Sequence, residues 1–213
     1  MKIGVIGSGE VGQSLAKGFV KHGYEVMIAT QNKAKAAELK TKVGPKAAVG
    51  SFEEAARFGE VVVLCVKGSA AEAGLKAAGI DNLRGKVVID TMNPIEDAPP
   101  ANGVLKFFTS INDSLLERLQ KIAPDIRFVK AFSCIGSGLM VNPQIGGTKP
   151  SMFICGNDAK AREEVGRIVS QFGFALEDLG SAEAARAIEP LCILWCLPGF
   201  LHNEWNHAFK LLK

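Results

Sequence analysis

The chain opens MKIGVIGSGEVGQSLAKGF, where Gly7, Gly9 and Gly12 follow directly on the apolar run Ile3 to Ile6. Few short patterns restrict a fold as much. A G-x-G-x-x-G spacing alone recurs by chance, but this one trails a strand-like run, leads an amphipathic stretch and is closed by a second apolar run, YEVMIA. Those are the parts of a βαβ unit with glycines at the strand-to-helix turn. In such a unit Gly7 permits the tight turn, Gly9 lets main chain approach a pyrophosphate, and Gly12 lets helix and strand pack closely. The helix start adds free N–H groups and the positive end of its dipole. The whole turn, Gly7, Ser8, Gly9, Glu10, Val11 and Gly12, is expected to bind a dinucleotide.

The same alternation continues. KAAVG, EVVVLCV, KVVID, IRFVKAF, SMFICG and FALEDL follow as further β-type runs, with Ala/Lys/Glu-rich amphipathic stretches between most of them. Runs that are apolar throughout suit strands covered on both faces. The expected fold is α/β: a Rossmann-type, doubly wound, mainly parallel sheet extended by C-terminal strands and closed by a short helical segment. APPANGV, after the fifth strand, reads as a surface excursion, and GGTKP as a second break. Neither resembles a linker, so residues 1–213 are expected to form a single NADP-binding domain, with 182–213 as its C-terminal helical segment.

The nucleotide is chosen at the tip of the second strand, where a carboxylate would hold a ribose 2′-hydroxyl. The sequence there is ATQNKAK. Thr30, Gln31 and Asn32 supply neutral donors, and Lys33 and Lys35 supply positive charge, which suits a 2′-phosphate. NADP(H) is expected over NAD(H).

Composition narrows the remaining classes. With 25 Lys and Arg against 22 Asp and Glu, the net charge of +3 is small and dispersed, so no nucleic-acid partner is expected. Five cysteines, an odd number without framework spacing, fit a reducing compartment. No export signal is read at the N-terminus, and Leu191 to Leu201 falls short of the roughly 20 apolar residues that span a bilayer. A cytoplasmic protein without a membrane partner is expected. His22 reads as a surface residue and His202 and His207, which flank Trp205, do not read as a ligand set, so no metal is expected. Cys192 and Cys196 share a helical face amid apolar bulk and read as core or dimer packing. Arg186 and Glu189 read as an ion pair at i, i+3.

Three further segments point to one family: VVIDTMNPIED, VKAFSCIGSGLMVNP, and the closing stretch FICGNDAKAREEVGRIVSQFGFALEDLGSAEAARAIEPL. With the N-terminal fingerprint they resemble the NADP oxidoreductase, coenzyme F-420-dependent family, which includes deazaflavin:NADP reductases and the reductase domain of membrane metalloreductases. The resemblance covers nearly the whole chain. It implies a homodimer that passes hydride between NADP(H) and a small-molecule redox acceptor, a flavin or deazaflavin (F-420-like) ring. Family members commonly carry Ser or Thr followed by Arg at the positions of Thr30 and Gln31, and Lys at that of Lys35; Gln31 departs from this. The turn Val66-Lys67-Gly68 and the segment Met92-Asn93-Pro94 are implied to border the ribose and nicotinamide. The segment Ser133, Cys134 and Ile135 is implied to meet the acceptor, although the family has histidine or asparagine where this chain has Ser133. No catalytic acid or base is expected, because such cofactors carry the chemistry and the protein aligns the rings. Two other readings stay open: an NADP(H)-binding redox sensor without turnover, and a small carbonyl or imine reductase.

Overall fold

A computed structural model describes residues 1–213, the side chain of Lys33 excepted. The opening βαβ unit comprises β1 (Lys2–Ile6), α1 (Glu10–Lys21) and β2 (Glu25–Ala29). It is followed by α2 (Ala36–Val43), β3 (Ala47–Gly50), α3 (Phe52–Phe58), β4 (Val61–Leu64), α4 (Ala71–Ala78), α5 (Ile80–Leu83) and β5 (Val87–Asp90). The second half holds α6 (Leu115–Ile122), β6 (Arg127–Lys130), β7 (Ser151–Ile154), α7 (Ala159–Gln171), β8 (Ala175–Asp178), α8 (Ala185–Ile188) and α9 (Leu191–His202). Each of the eight β-type runs contains one of the eight strands.

Six strands form one parallel sheet in the order β3-β2-β1-β4-β5-β6. The sheet order reverses direction at β1, so a crevice opens there beyond the carboxyl ends of β1 and β4, where ligands of open α/β sheets bind. Val87, Val88 and Ile89 are at most 1% exposed although successive side chains point to opposite faces, so both faces are covered. On one face Ile3, Val5, Ile28 and Val63 pack with Leu15 and Phe19 of α1 and Val165 of α7. On the other Ile6, Val62, Leu64 and Val88 pack with Leu75, Leu116 and Leu119. Burying an aliphatic side chain of this size stabilises by about 1.5–3 kcal/mol, so the two layers set a rigid frame for the loops above them.

The helix starts are written locally. Ser51 and Glu54 form a reciprocal capping box at α3; Ser114 caps α6 and Asp158 caps α7 through their side chains. The excursion after β5 is a small hairpin: Ala101 pairs with Val104 around Asn102 and Gly103, both at positive φ, as a two-residue turn of this hand requires. The C-terminal extension is a parallel β7–β8 pair, and it joins the main sheet through a single antiparallel bridge between Lys130 and Cys155.

Candidate functional site

The glycine turn is built as its spacing implies. Gly7 has φ +129°, a conformation that L side chains rarely adopt, and a Cβ on Gly12 would lie 2.1 Å from the Gly7 carbonyl oxygen. Gly12 therefore seats α1 directly on the turn. Gly9 differs: a Cβ there would meet nothing within 4 Å. Its bareness is not needed for packing and leaves an open cradle over the start of α1, whose N-terminus no side chain caps. The free amides there suit a diphosphate.

Two cavities flank the tip of β2. The first, of about 260 Å³, lies between Ser8, Gly9 and Gln13 on one side and Lys35, Glu38 and Lys42 on the other. The second, of about 730 Å³, lies between Thr30 and Gln31 and the β3–α3 corner, with Phe52 and Arg57 on its wall. Thr30 is nearly buried, accepts from Ser8 Oγ at 3.1 Å and from the Asn32 amide at 3.1 Å, and so ties the glycine turn to the β2 tip. Gln31, Asn32 and Lys35 are exposed beside it. The Lys33 side chain, expected here too, lies outside the described residues. Gln13, Glu38 and Lys42 escaped sequence reasoning, although Lys35, Glu38, Leu39 and Lys42 follow the i, i+3, i+4, i+7 spacing of one helical face.

A third cavity, of about 350 Å³, opens beyond β4 and β5 and brings together Val11, Val66, Lys67, Met92 and Asn93. Pro94 is buried behind it, its carbonyl accepting from the Phe108 amide at 2.9 Å. Lys67 Nζ and Ser69 Oγ reach Asp97 at 3.2 and 3.1 Å across its mouth. Those bonds, with Lys67 first, hold the Asp97 carboxyl below its ordinary range.

Ser133, Cys134 and Ile135 are 4%, 2% and 8% exposed, and none lines these three cavities. Trp195 of α9 packs on the neighbouring Gly136 so closely that a Cβ there would lie 2.3 Å from its ring. Ser133 reaches the third cavity only through Asn93, whose Nδ2 donates to the Ser133 carbonyl at 2.7 Å. Among the described residues, Asn93 Oδ1 and Ser133 Oγ have no hydrogen-bond partner. Buried polar atoms are normally paired, so these two stand out as unsatisfied.

Beneath this end of the site lies an ionic cluster that the sequence reading did not find. Lys130 Nζ sits 2.7 Å from Asp90 Oδ2 and 2.8 Å from Glu189 Oε1, and donates to the Met92 carbonyl at 2.8 Å. Asp90 accepts from the Met92 amide at 2.9 Å, and Glu189 accepts from the amides of Leu115 and Leu116 at the start of α6. The loop carrying Asn93 is thereby clamped at both polar atoms of Met92. Burial raises the Asp90 carboxyl against the pull of Lys130; burial alone would depress Lys130, but Asp90 and Glu189 outweigh it and raise the ammonium. Charges inside the runs KVVID and IRFVKAF were the available signal, since fully buried charges occur almost only in pairs. The expected Arg186–Glu189 pair is not formed: Arg186 instead binds Glu117 at 2.6 and 3.0 Å, leaving Glu189 to Lys130.

The C-terminal helical segment, expected over 182–213, ends at His202, and residues 203–213 form no helix; its apolar part is nevertheless longer than Leu191 to Leu201. Ala182–His202 runs for 21 residues and holds an 18-residue stretch of mean hydropathy 1.4, enough by length and composition to cross a membrane. Its Glu189, however, is held by Lys130 and the α6 amides in the folded body. Among the described residues no group of three or more His, Cys, Asp or Glu is placed to hold a metal.

A glycine-turn βαβ unit, a 3-2-1-4-5-6 parallel sheet and three cavities along its carboxyl edge define a Rossmann-type dinucleotide-binding protein. Residues 2–94 match the family described as NADP oxidoreductase coenzyme F420-dependent. The crystal structure of a proposed F420-dependent NADP-reductase from Arthrobacter sp. FB24 is 30% identical, with TM-score 0.93 and both chains fully covered. The chain belongs to the coenzyme F420-dependent NADP oxidoreductase family, and so to the NADP-linked oxidoreductases. It is also 31% identical to the metalloreductase STEAP3 of Rattus norvegicus over 94% of its own length and 39% of that protein's, and 28% identical to human metalloreductase STEAP2. The chain thus spans about two fifths of the length of these curated relatives. An imine reductase from Myxococcus stipitatus in complex with NADP+ shares the fold, with TM-score 0.68 at 17% identity over 95% of this chain and 63% of that one.

Proposed function

We propose that the chain binds NADP(H) along the carboxyl edge of its sheet and exchanges hydride with a flavin or deazaflavin ring. In this reading the diphosphate lies over Gly9, the phosphorylated adenosine lies at the β2 tip beside Thr30 and Lys35, and the nicotinamide enters the cavity walled by Val66, Met92 and Asn93. When bound, the nicotinamide supplies or accepts the hydride. The chain's part is to orient it: Asn93, held through its Nδ2 by Ser133, offers Oδ1 to an N–H of a ligand. Val66 and Met92 keep the cavity wall apolar, which excludes water and fixes ring spacing.

The observation that carries the acceptor class is the full-length likeness, at 30% identity, to a structure described as a proposed F420-dependent NADP-reductase. Reduction of a carbonyl or imine calls for a positioned proton donor, whereas exchange between two rings calls for alignment. The same reading takes Leu194, Phe200 and Leu201, exposed apolar residues of α9, as the face on which a second copy packs.

Stopped-flow absorbance of NADPH on mixing with FMN, FAD, F-420, a quinone, a cyclic imine or a ketone tests the proposal. Oxidation by a flavin or deazaflavin is expected. Turnover with imine or ketone alone would overturn the acceptor class, and saturable binding without consumption by any of them would make the chain a nucleotide sensor.

A further inference from the structure

The adenosine end carries a feature that family resemblance does not explain. Gln31 leaves the β2 tip without a cation at its own position, yet the first cavity is not short of charge. Lys35, Glu38, Leu39 and Lys42 form one face of the segment around α2, and buried Leu39 anchors that face toward α1. Lys35, Glu38 and Lys42 are thereby presented to the cavity across from Ser8, Gly9 and Gln13. Gln13 is spent internally, its Nε2 donating to the Ser8 carbonyl at 2.8 Å. The described ionic groups on this wall are thus two ammonium groups and one carboxylate.

We infer that Lys42 and Glu38 together set the chain's preference for a 2′-phosphorylated adenosine: Lys42 supplies the cation that Gln31 lacks, and Glu38 is a resident anion that competes for it. The inference rests on the proposed placement of the nucleotide. Lys42 Nζ lies 2.6 Å from Glu38 Oε1, with the two side chains 51% and 58% exposed. A pair so exposed contributes little to stability, and its ammonium keeps two donors free. An arriving phosphate faces Glu38 as a like charge and Lys42 as a partner already engaged. The Lys42 bond, then its charge, with Lys35 adding to them, holds the Glu38 carboxyl below its ordinary range, so Glu38 is anionic throughout the neutral range. An NAD-type diol carries no charge to sense either group. The same chain therefore holds an attractive and a repulsive element for one phosphate, as binding sites that discriminate often do.

The test is calorimetric binding of NADP+ and of NAD+ to wild type, Glu38→Gln, Lys42→Gln and the double variant, with thermal melting as a check of folding. Glu38→Gln should tighten NADP+ by about 5-fold and Lys42→Gln weaken it by about 5-fold, the scale of one exposed charge interaction. NAD+ affinity should change less than about twofold in each, and the log–log salt dependence for NADP+ should be shallower in Lys42→Gln. Equal changes for the two nucleotides, or none, would overturn the inference while leaving the proposed function standing. Failure of the wild type to bind either nucleotide would overturn both.

Discussion

Lys130 Nζ lies 2.7 Å from Asp90 Oδ2, and neither side chain has any exposed surface. Both stand at the carboxyl ends of adjacent strands, β6 and β5, where their residues are in register. With Glu189 as second carboxylate, this cluster joins the sheet, the Met92 loop, the start of α6 and the C-terminal helix. A buried ion is costly unless it is paired and hydrogen-bonded, and breaking such a pair typically costs about 3–5 kcal/mol.

Replacing Lys130 by Met leaves two buried carboxylates without their partner. Its unfolding free energy in urea at neutral pH is expected to fall by about 3–5 kcal/mol, while the triple variant Asp90→Asn, Lys130→Met, Glu189→Gln should recover much of the loss. The sign with pH follows from the raised Lys130. A lysine whose folded value exceeds its unfolded one, 10.5, contributes in full below that pH and loses its contribution as pH rises through the folded value. Asp90, also raised, shifts stability in the same direction, its contribution declining as pH rises. The stability gap between wild type and the Lys130→Met variant should therefore narrow above about pH 10.5 as Lys130 loses its proton, and also on acidification as the variant's stranded carboxylates take up protons. A gap that did not narrow at alkaline pH would mean that the cluster is not held by a charged lysine.

Gly9 and Gly12 separate binding from folding. Gly9 has extended backbone, φ −71° and ψ −176°, and open space where a Cβ would go, so Gly9→Val should melt within a few degrees of wild type. It should nevertheless lose NADP+ binding by at least about 100-fold, because the side chain occupies the cradle. Gly12→Ala should do the reverse in order: its Cβ meets the Gly7 carbonyl oxygen at 2.1 Å, and overpacking of this kind costs about 1–3 kcal/mol or more. Thermal melts and a fluorescence titration on both variants check this. A Gly9→Val protein that still binds tightly would remove the diphosphate from this turn.

The strands and the glycine turn were legible because each is specified locally. A strand buried on both faces is an apolar run whatever lies elsewhere, and VVVL and VVID show it. The third cavity was also legible in part, since Val66, Lys67, Met92 and Asn93 follow strands whose carboxyl ends must meet. What stayed hidden depends on distant partners. Nothing near Ser133 announces that Trp195 closes over Gly136. Glu189 was assigned to Arg186 because helical spacing allowed it; Lys130, on β6, is the stronger partner because it is wholly buried and has no water to turn to. The turn-spaced face of α2 was in the sequence all along, but only the fold shows that it looks toward Ser8 and Gly9.

The five cysteines should differ sharply in reactivity although none is fully exposed. Burial pushes the thiols of Cys65, Cys134 and Cys155 up to about 12, which leaves almost no thiolate at mildly alkaline pH. Cys192 is raised as well, foremost because its thiol donates to Cys196, and the same hydrogen bond lowers Cys196, which is only half-buried. Thiolate is the reactive form, so Ellman's reagent added to the native protein near pH 8 should titrate one thiol quickly and the other four only on unfolding. Cys196→Ser should remove the fast phase. Cys192→Ala should slow it, because the donor that stabilises the Cys196 thiolate is gone. A fast phase that survives Cys196→Ser, or that is faster in Cys192→Ala, would show that α9 does not hold the two thiols in this arrangement.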